Sequence, residues 1–250
     1  MIKYEDIFRE KYLDHYARAN RTICPNEWAA AVGPNLEATY GQYVNLLSPA
    51  SRVLDLGCGT GYLLAWLSQM AGIVPVGVDR SPNMVKAARQ FLPNIEIAIE
   101  DGLTYLKDHP ASFSAIFCFD VLAHLPTPEI CVEWVIAARR SLLPGGFLIC
   151  REPNAANLIS SHLRYLDITH MRSFTSSSII QILELAGLRD CRCVPLRYKS
   201  LPRQLHTKAL TLFHRALFLF CGNRLERNFQ RFISGVGFNR ESSPKGEESC

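Results

Sequence analysis

VLDLGCGTGYLLAWL, residues 53–67, decides how this chain folds. The apolar run at its start reads as a buried strand and the leucine-rich run at its end as a helix, with Gly57, Gly59 and Gly61 between them. Glycine suits that junction for two reasons. A tight turn visits left-handed conformations that are costly for any residue with a Cβ, and a bare backbone lets a ligand come close. A strand feeding a helix through so short a turn is the opening unit of a parallel sheet.

Outward from this stretch the same alternation continues. Short β-branched runs at 52–56, 74–79, 95–100, 114–120 and 146–152 read as strands separated by helical patterns. Leu63, Leu64, Leu67 and Ala71 share one helical face, as do Met84, Val85, Ala88, Phe91 and Leu92. Ser81-Pro82 and Thr127-Pro128 each place a capping hydroxyl before a proline at the first helical position. LRDCRCVPL and RFISGVGFNRE, far apart in the chain, read as a sixth strand and an antiparallel seventh. The expected fold is α/β, a doubly wound, mostly parallel seven-stranded sheet with an N-terminal helical cap.

With 250 residues, 48% of them hydrophobic, the chain can bury one full core, which excludes a disordered protein. No apolar run approaches the ~20 residues of a membrane span, and Met1 opens onto the charged IKYEDIFREK, so a cytoplasmic protein is expected. The nine cysteines lack zinc-type spacing and read as reduced thiols, mostly buried; no metal site is read. Residues 1–150 carry 12 basic and 15 acidic side chains, whereas 151–250 carry 15 and 8, an asymmetry that fits an anionic partner or a solvated basic face.

Asp55-x-Gly57-x-Gly59-x-Gly61 after an apolar strand closely resembles the first motif of class I S-adenosylmethionine-dependent methyltransferases. Dinucleotide folds use a similar turn, but their third glycine comes one residue later. The resemblance covers residues 45–195 and implies S-adenosyl-L-methionine as cofactor, in a Rossmann-like fold. It implies that Asp55 lies nearest the methionine amino group, with Gly57, Cys58, Gly59 and Gly61 beneath the cofactor. Asp79, with Arg80 beside it, would take the ribose hydroxyls, and Asp101 followed by Gly102 would meet the adenine amine. FCFDVLAHLP resembles the fourth motif, adding Asp120 to the cofactor set and bringing His124 to the border of the methyl-transfer channel. It lacks the Asn/Asp-Pro-Pro-aromatic sequence of nucleobase amine methylation. LLPGGFLI resembles the turn into the fifth strand.

Methyl transfer from a sulfonium is an in-line displacement, which needs an aligned acceptor and, for a hydroxyl, a base. The run from Asp167 through His170 and Arg172 to Thr175 resembles a pattern of bacterial methyltransferases acting on natural products and cell-surface glycans. His170 is the leading candidate base, with His124 second; alternatively His170 bonds Asp167 or a carbonyl and holds the loop. Arg164 and Arg172 either bind an anionic substrate group or are solvated. Thr175 is placed to cap the next helix.

The expected domains are a helical cap over 1–48, a methyltransferase domain over 49–240 and a loose tail over 241–250. Tyr4, Phe8, Tyr12 and Tyr16 repeat every four residues in the cap, as packing or as a lid. A helical insertion over 203–230 precedes the last strand, and its 203–221 part has an apolar run with basic flanks. Its apolar run is 209–221 apart from Thr211, His214 and Arg215; the 203–221 segment either lies on a membrane surface, packs on the sheet or forms a dimer contact, and the oligomeric state is not read. Oxygen methylation of a small-molecule or glycan-like acceptor is expected, with no DNA partner. A quinone or lipid-linked acceptor, an RNA, and a non-catalytic binding partner of the same fold are the rivals.

Overall fold

A computed structural model describes residues 25–222, 226 and 228–240. The Tyr4, Phe8, Tyr12 and Tyr16 stripe and the tail over 241–250 lie outside the described residues. Seven strands form one sheet: β1 (Ser51–Leu56), β2 (Ile73–Asp79), β3 (Glu96–Ile99), β4 (Phe113–Phe119), β5 (Leu142–Pro153), β6 (Arg189–Cys193) and β7 (Phe232–Phe238). Their order is β3-β2-β1-β4-β5-β7-β6, parallel except for β7, which runs antiparallel to both its neighbours. This is the doubly wound sheet expected from the sequence. β5 starts four residues earlier than the apolar run, because Leu142 already pairs with Phe113 before an irregularity in register.

Strand period two, with both faces covered, explains why β1 and β4 read as unbroken apolar runs. Leu54, Leu56, Ile116 and Cys118 enter the core on one face, against α5 (Pro128–Ser141) and α7 (Ser176–Leu185). Val53, Ala115, Phe117 and Phe119 enter the other, under α1 (Pro25–Val44) and α2 (Tyr62–Leu67). The remaining helices are α3 (Pro82–Phe91), α4 (Gly102–Asp108), α6 (Leu158–Leu166) and α8 (Leu201–Phe220).

The capping residues do what their chemistry allows. Ser81 accepts the Met84 amide, Thr127 the Ile130 amide, and Thr175 forms a reciprocal capping box with Ser178. The seven described cysteines are free thiols, and of these Cys58, Cys118, Cys131 and Cys150 are buried.

Phe117 sits at the centre of the second core, edge-on to Tyr40, Trp66, Phe119 and Phe147 at centroid distances of 5.7–6.4 Å. It is fully buried. Phe117→Ala should therefore lower unfolding free energy by about 3–5 kcal/mol, read by urea titration. A loss under 1 kcal/mol would mean that this core collapses onto the cavity, and that the ring cluster does not hold α1 and α2 on the sheet.

Candidate active site

Beyond the C-terminal ends of the strands lies a cavity of about 860 Å³, in the range of ligand clefts. Its wall brings together Gly57, Cys58, Gly59, Asp79, Arg80, Gly102, Asp120, His124 and His170 among the residues singled out from sequence. Asp55, Gly61 and Asp101 are not on that wall. Gly61 sits at the cap of α2, where a Cβ would meet Leu92 at 2.8 Å, so it serves the packing of the loop on α3.

The loop is held open by Asp79. Its Oδ2 accepts the Gly59 amide at 2.9 Å and its Oδ1 the Ser81 amide at 2.8 Å, which fixes the carboxylate at the end of β2. A carboxylate has about four acceptor positions, so each oxygen keeps one for a ligand hydroxyl. Gly57 and Gly59 have φ of 79° and 53°; a Cβ on Gly57 would strike Val121 at 2.4 Å, whereas nothing stands within 4 Å of the Cβ position at Gly59. That open left-handed position is a cradle floor, and it fits a nucleoside cofactor laid over the loop toward Asp79.

Asp55 is buried at the end of β1. Burial, and then the charge of Asp79, push its carboxyl up to about 8, against the pull of Arg151. Burial also raises Asp79, with the two amide bonds acting in the opposite direction. Asp101 caps α4 by accepting the Leu103 and Thr104 amides, both on Oδ1.

Asp120 adopts φ 58° at the end of β4, its amide donates to the Arg151 carbonyl at 2.7 Å, and its Oδ2 pairs with the Arg151 guanidinium. Arg151 also donates to the Tyr62 hydroxyl at 2.9 Å and lies 4.4 Å from the Phe119 ring centroid. Next to it, fully buried Glu152 accepts the Leu122 and Ala123 amides at 2.9 and 3.0 Å. Those amides belong to the short 3-10 turn Leu122–His124, so Glu152 aims His124. The sequence reading missed Arg151 and Glu152, which close the strand read at 146–152 and look there like its solvated end.

The two histidines meet, with ring centroids 4.5 Å apart. His124 Nδ1 lies 3.0 Å from the Thr169 hydroxyl, which in turn donates to Asp167 at 2.6 Å. Arg164 donates to the His170 carbonyl at 2.5 Å and to that of Met171. Its guanidinium therefore braces the loop. Arg172 is not on the cavity wall. Among the described residues no group of three His, Cys, Asp or Glu side chains is arranged to hold a metal ion.

Burial, then the charge of His170, lowers the pKa of His124 to about 4. Between about pH 6.5 and 4 the unfolded chain takes up a proton at this histidine and the folded chain does not, so stability falls as pH falls through that window. Relative to His124→Gln, the wild type should lose roughly 2–3 kcal/mol more between pH 7 and 4.5. Parallel urea titrations at the two pH values measure this; equal losses would show that His124 is not held neutral.

Residues 32–192, more than half of the chain, match the family described as methyltransferase domain. A ubiquinone biosynthesis O-methyltransferase of Xanthomonas campestris pv. campestris is 31% identical over 153 residues, 56% of this chain and 60% of that protein. A tRNA U34 carboxymethyltransferase of Pseudomonas aeruginosa is 30% identical over 173 residues, 63% of this chain and 51% of that protein. The chain thus spans between 51% and 60% of the length of these two curated relatives. In fold it matches a SAM-dependent methyltransferase from Archaeoglobus fulgidus with a TM-score of 0.62 at 19% identity, covering 81% of this chain and 92% of the other. With the glycine cradle and its acids at the strand ends, the match places this chain in the class I S-adenosylmethionine-dependent methyltransferase family.

Proposed function

We propose that this protein transfers a methyl group from S-adenosyl-L-methionine to a hydroxyl oxygen of a small-molecule, natural-product or glycan-like acceptor. The observation that carries the reading is the His124–His170 pair on the wall of the cavity that also holds the glycine loop. The cofactor supplies an electrophilic methyl on a sulfonium. Asp79 would hold the ribose hydroxyls, Asp55 the ammonium group and Asp101 the adenine amine. His170 takes the acceptor proton, and neutral His124 leaves room beside it for the charge that then appears on the pair. His170→Ala should lower turnover on the acceptor by about 10²- to 10⁴-fold with little change in cofactor affinity. Finding the acceptor comes first, by labelling cell extracts with radioactive cofactor and identifying the product by mass spectrometry. Product methylated on carbon or nitrogen, or a His170→Ala enzyme as fast as the wild type, would reject this reading.

Cofactor binding has its own test. Loss of bonds to two hydroxyls in Asp79→Ala should weaken S-adenosylhomocysteine by ~2–4 kcal/mol in calorimetry. At pH 7 the Asp55 carboxyl, raised to about 8, holds a proton in the free protein. An ammonium group arriving beside it expels that proton, so binding should release up to about one proton, seen as a dependence of heat on buffer. Asp55→Asn should abolish the release. Binding heats that are the same in every buffer would show that Asp55 does not face the ammonium.

A lipid-linked acceptor at a membrane surface is the second reading, favoured by the outward face of α8. Leu201, Leu205, Leu212 and Leu219 are 55–70% exposed there, with Lys208 and Arg215 among them. No helix among the described residues is long and apolar enough to cross a membrane. Vesicles containing anionic lipid should sediment the wild type, less so in high salt, and not a Leu212→Glu, Leu219→Glu variant. Failure of the wild type to sediment removes the second reading and leaves the first.

A further inference from the structure

Most of the large apolar side chains left exposed among the described residues stand in two segments that both reach the cavity. The first runs through α6 and the loop after it, where Leu158, Tyr165, Ile168 and Met171 face outward; Tyr165 is 76% and Ile168 86% exposed. The second is α8, where Phe213 and Phe220 join the leucines described above. Among the described residues of α8, His214 alone is buried. An ordinary surface helix buries an apolar stripe and turns a polar face to water, and a large apolar patch left outside marks an interaction surface.

The two segments are joined. His214 accepts the Leu158 amide on Nε2 at 3.0 Å and stacks on Phe229, which pins the start of α6 to α8. Both also line the cavity, with Leu166, Asp167 and His170 from the first and His206, Thr207 and Leu210 from the second. Leu166 is on the wall and half-exposed at once, so apolar surface continues from the outer face into the cavity. Arg164, bonded to the His170 and Met171 carbonyls, holds the loop from which Ile168 projects.

Charge decides what covers this surface. α8 carries Arg203, Lys208 and Arg215 and no Asp or Glu, and 158–172 carries Arg164 and Arg172 against Asp167. A second copy of this chain would set the same basic face against itself, and like charges across an interface oppose pairing. An anionic lipid surface suits both features. Leucine and phenylalanine side chains enter the acyl boundary, while lysine and arginine reach along their stems to the headgroups. Neither helix is long and apolar enough to cross a membrane, so each would lie along it.

We propose that residues 158–171 and α8 form one docking surface for an anionic lipid bilayer, on which the chain rests with the cavity opening toward the lipid. This rests on the membrane reading above, and adds to it a second element and an orientation.

The test uses the whole chain and vesicles of equal parts phosphatidylcholine and phosphatidylglycerol. A Tyr165→Glu, Ile168→Glu variant, changed outside α8, should bind these vesicles at least about tenfold more weakly than the wild type, with its affinity for S-adenosylhomocysteine unchanged. Ile168→Trp and Leu212→Trp, made separately, should each add fluorescence that brominated lipid quenches. Wild-type binding should weaken in salt and on pure phosphatidylcholine. Quenching at Leu212→Trp without quenching at Ile168→Trp, or a Tyr165→Glu, Ile168→Glu variant that binds like the wild type, overturns the proposal and leaves the membrane reading through α8 standing. A wild type that binds no vesicles removes both. Equal binding to pure phosphatidylcholine overturns the charge argument and the proposal with it. A dimer in analytical ultracentrifugation that the variant loses, without vesicle binding, assigns the surface to a second copy and overturns the proposal. S-adenosylhomocysteine is titrated first, so failure of the methyltransferase reading is seen separately.

Discussion

Both faces of the central strands are sealed by helices, and from that constraint the rest of the molecule follows. A charged side chain halfway along β1 or β4 would be desolvated with no partner, at a cost of several kcal/mol. Polar chemistry is therefore confined to the places where strands end. Asp55, Asp79, Asp120 and the Arg151–Glu152 pair all stand at the same edge of the sheet, and the cavity opens beyond it. The glycine loop belongs to the same logic, since its amides are satisfied by the acid ending the neighbouring strand and by the Val78 carbonyl.

Confinement explains why so much was readable from sequence. An acid closing an apolar run is visible without a structure, and three such acids at successive strand ends, with the glycine spacing before them, marked the sheet and the cofactor side together. The caps were equally local, because Ser81, Thr127 and Thr175 act on amides three residues away. What could not be read depends on distant partners. Glu152 serves amides 29 and 30 residues earlier in the chain, so nothing beside it announces the role. Arg203 and Arg231 share a wall only because α8 folds back over the strand ends. Its outward face mixes leucines with Lys208 and Arg215 and its inward one is mixed too, so no periodicity argument could tell which side would be buried; His214, by taking the Leu158 amide, settles that.

Two buried acids at the edge illustrate how one environment yields different roles. Burial raises the pKa of both Glu152 and Asp55. Glu152 has two backbone amides to bond and nothing to exchange, so it is a brace for the turn carrying His124. Asp55 has its carboxyl pushed up by burial and by Asp79, and a cation placed near it lowers that cost. A site that is electrostatically uncomfortable when empty gains more from a cationic ligand than one already neutralised.

The same reasoning applies to the histidines. His124 resists protonation because it is buried and because His170 stands against it. Asp167, bound to Thr169, supplies negative charge close to both rings. In this arrangement Glu152, Thr169 and Arg164 position the pair. Arg164 ties down the loop carrying His170 through the His170 and Met171 carbonyls, and the Thr169 hydroxyl ties it through Asp167 and His124.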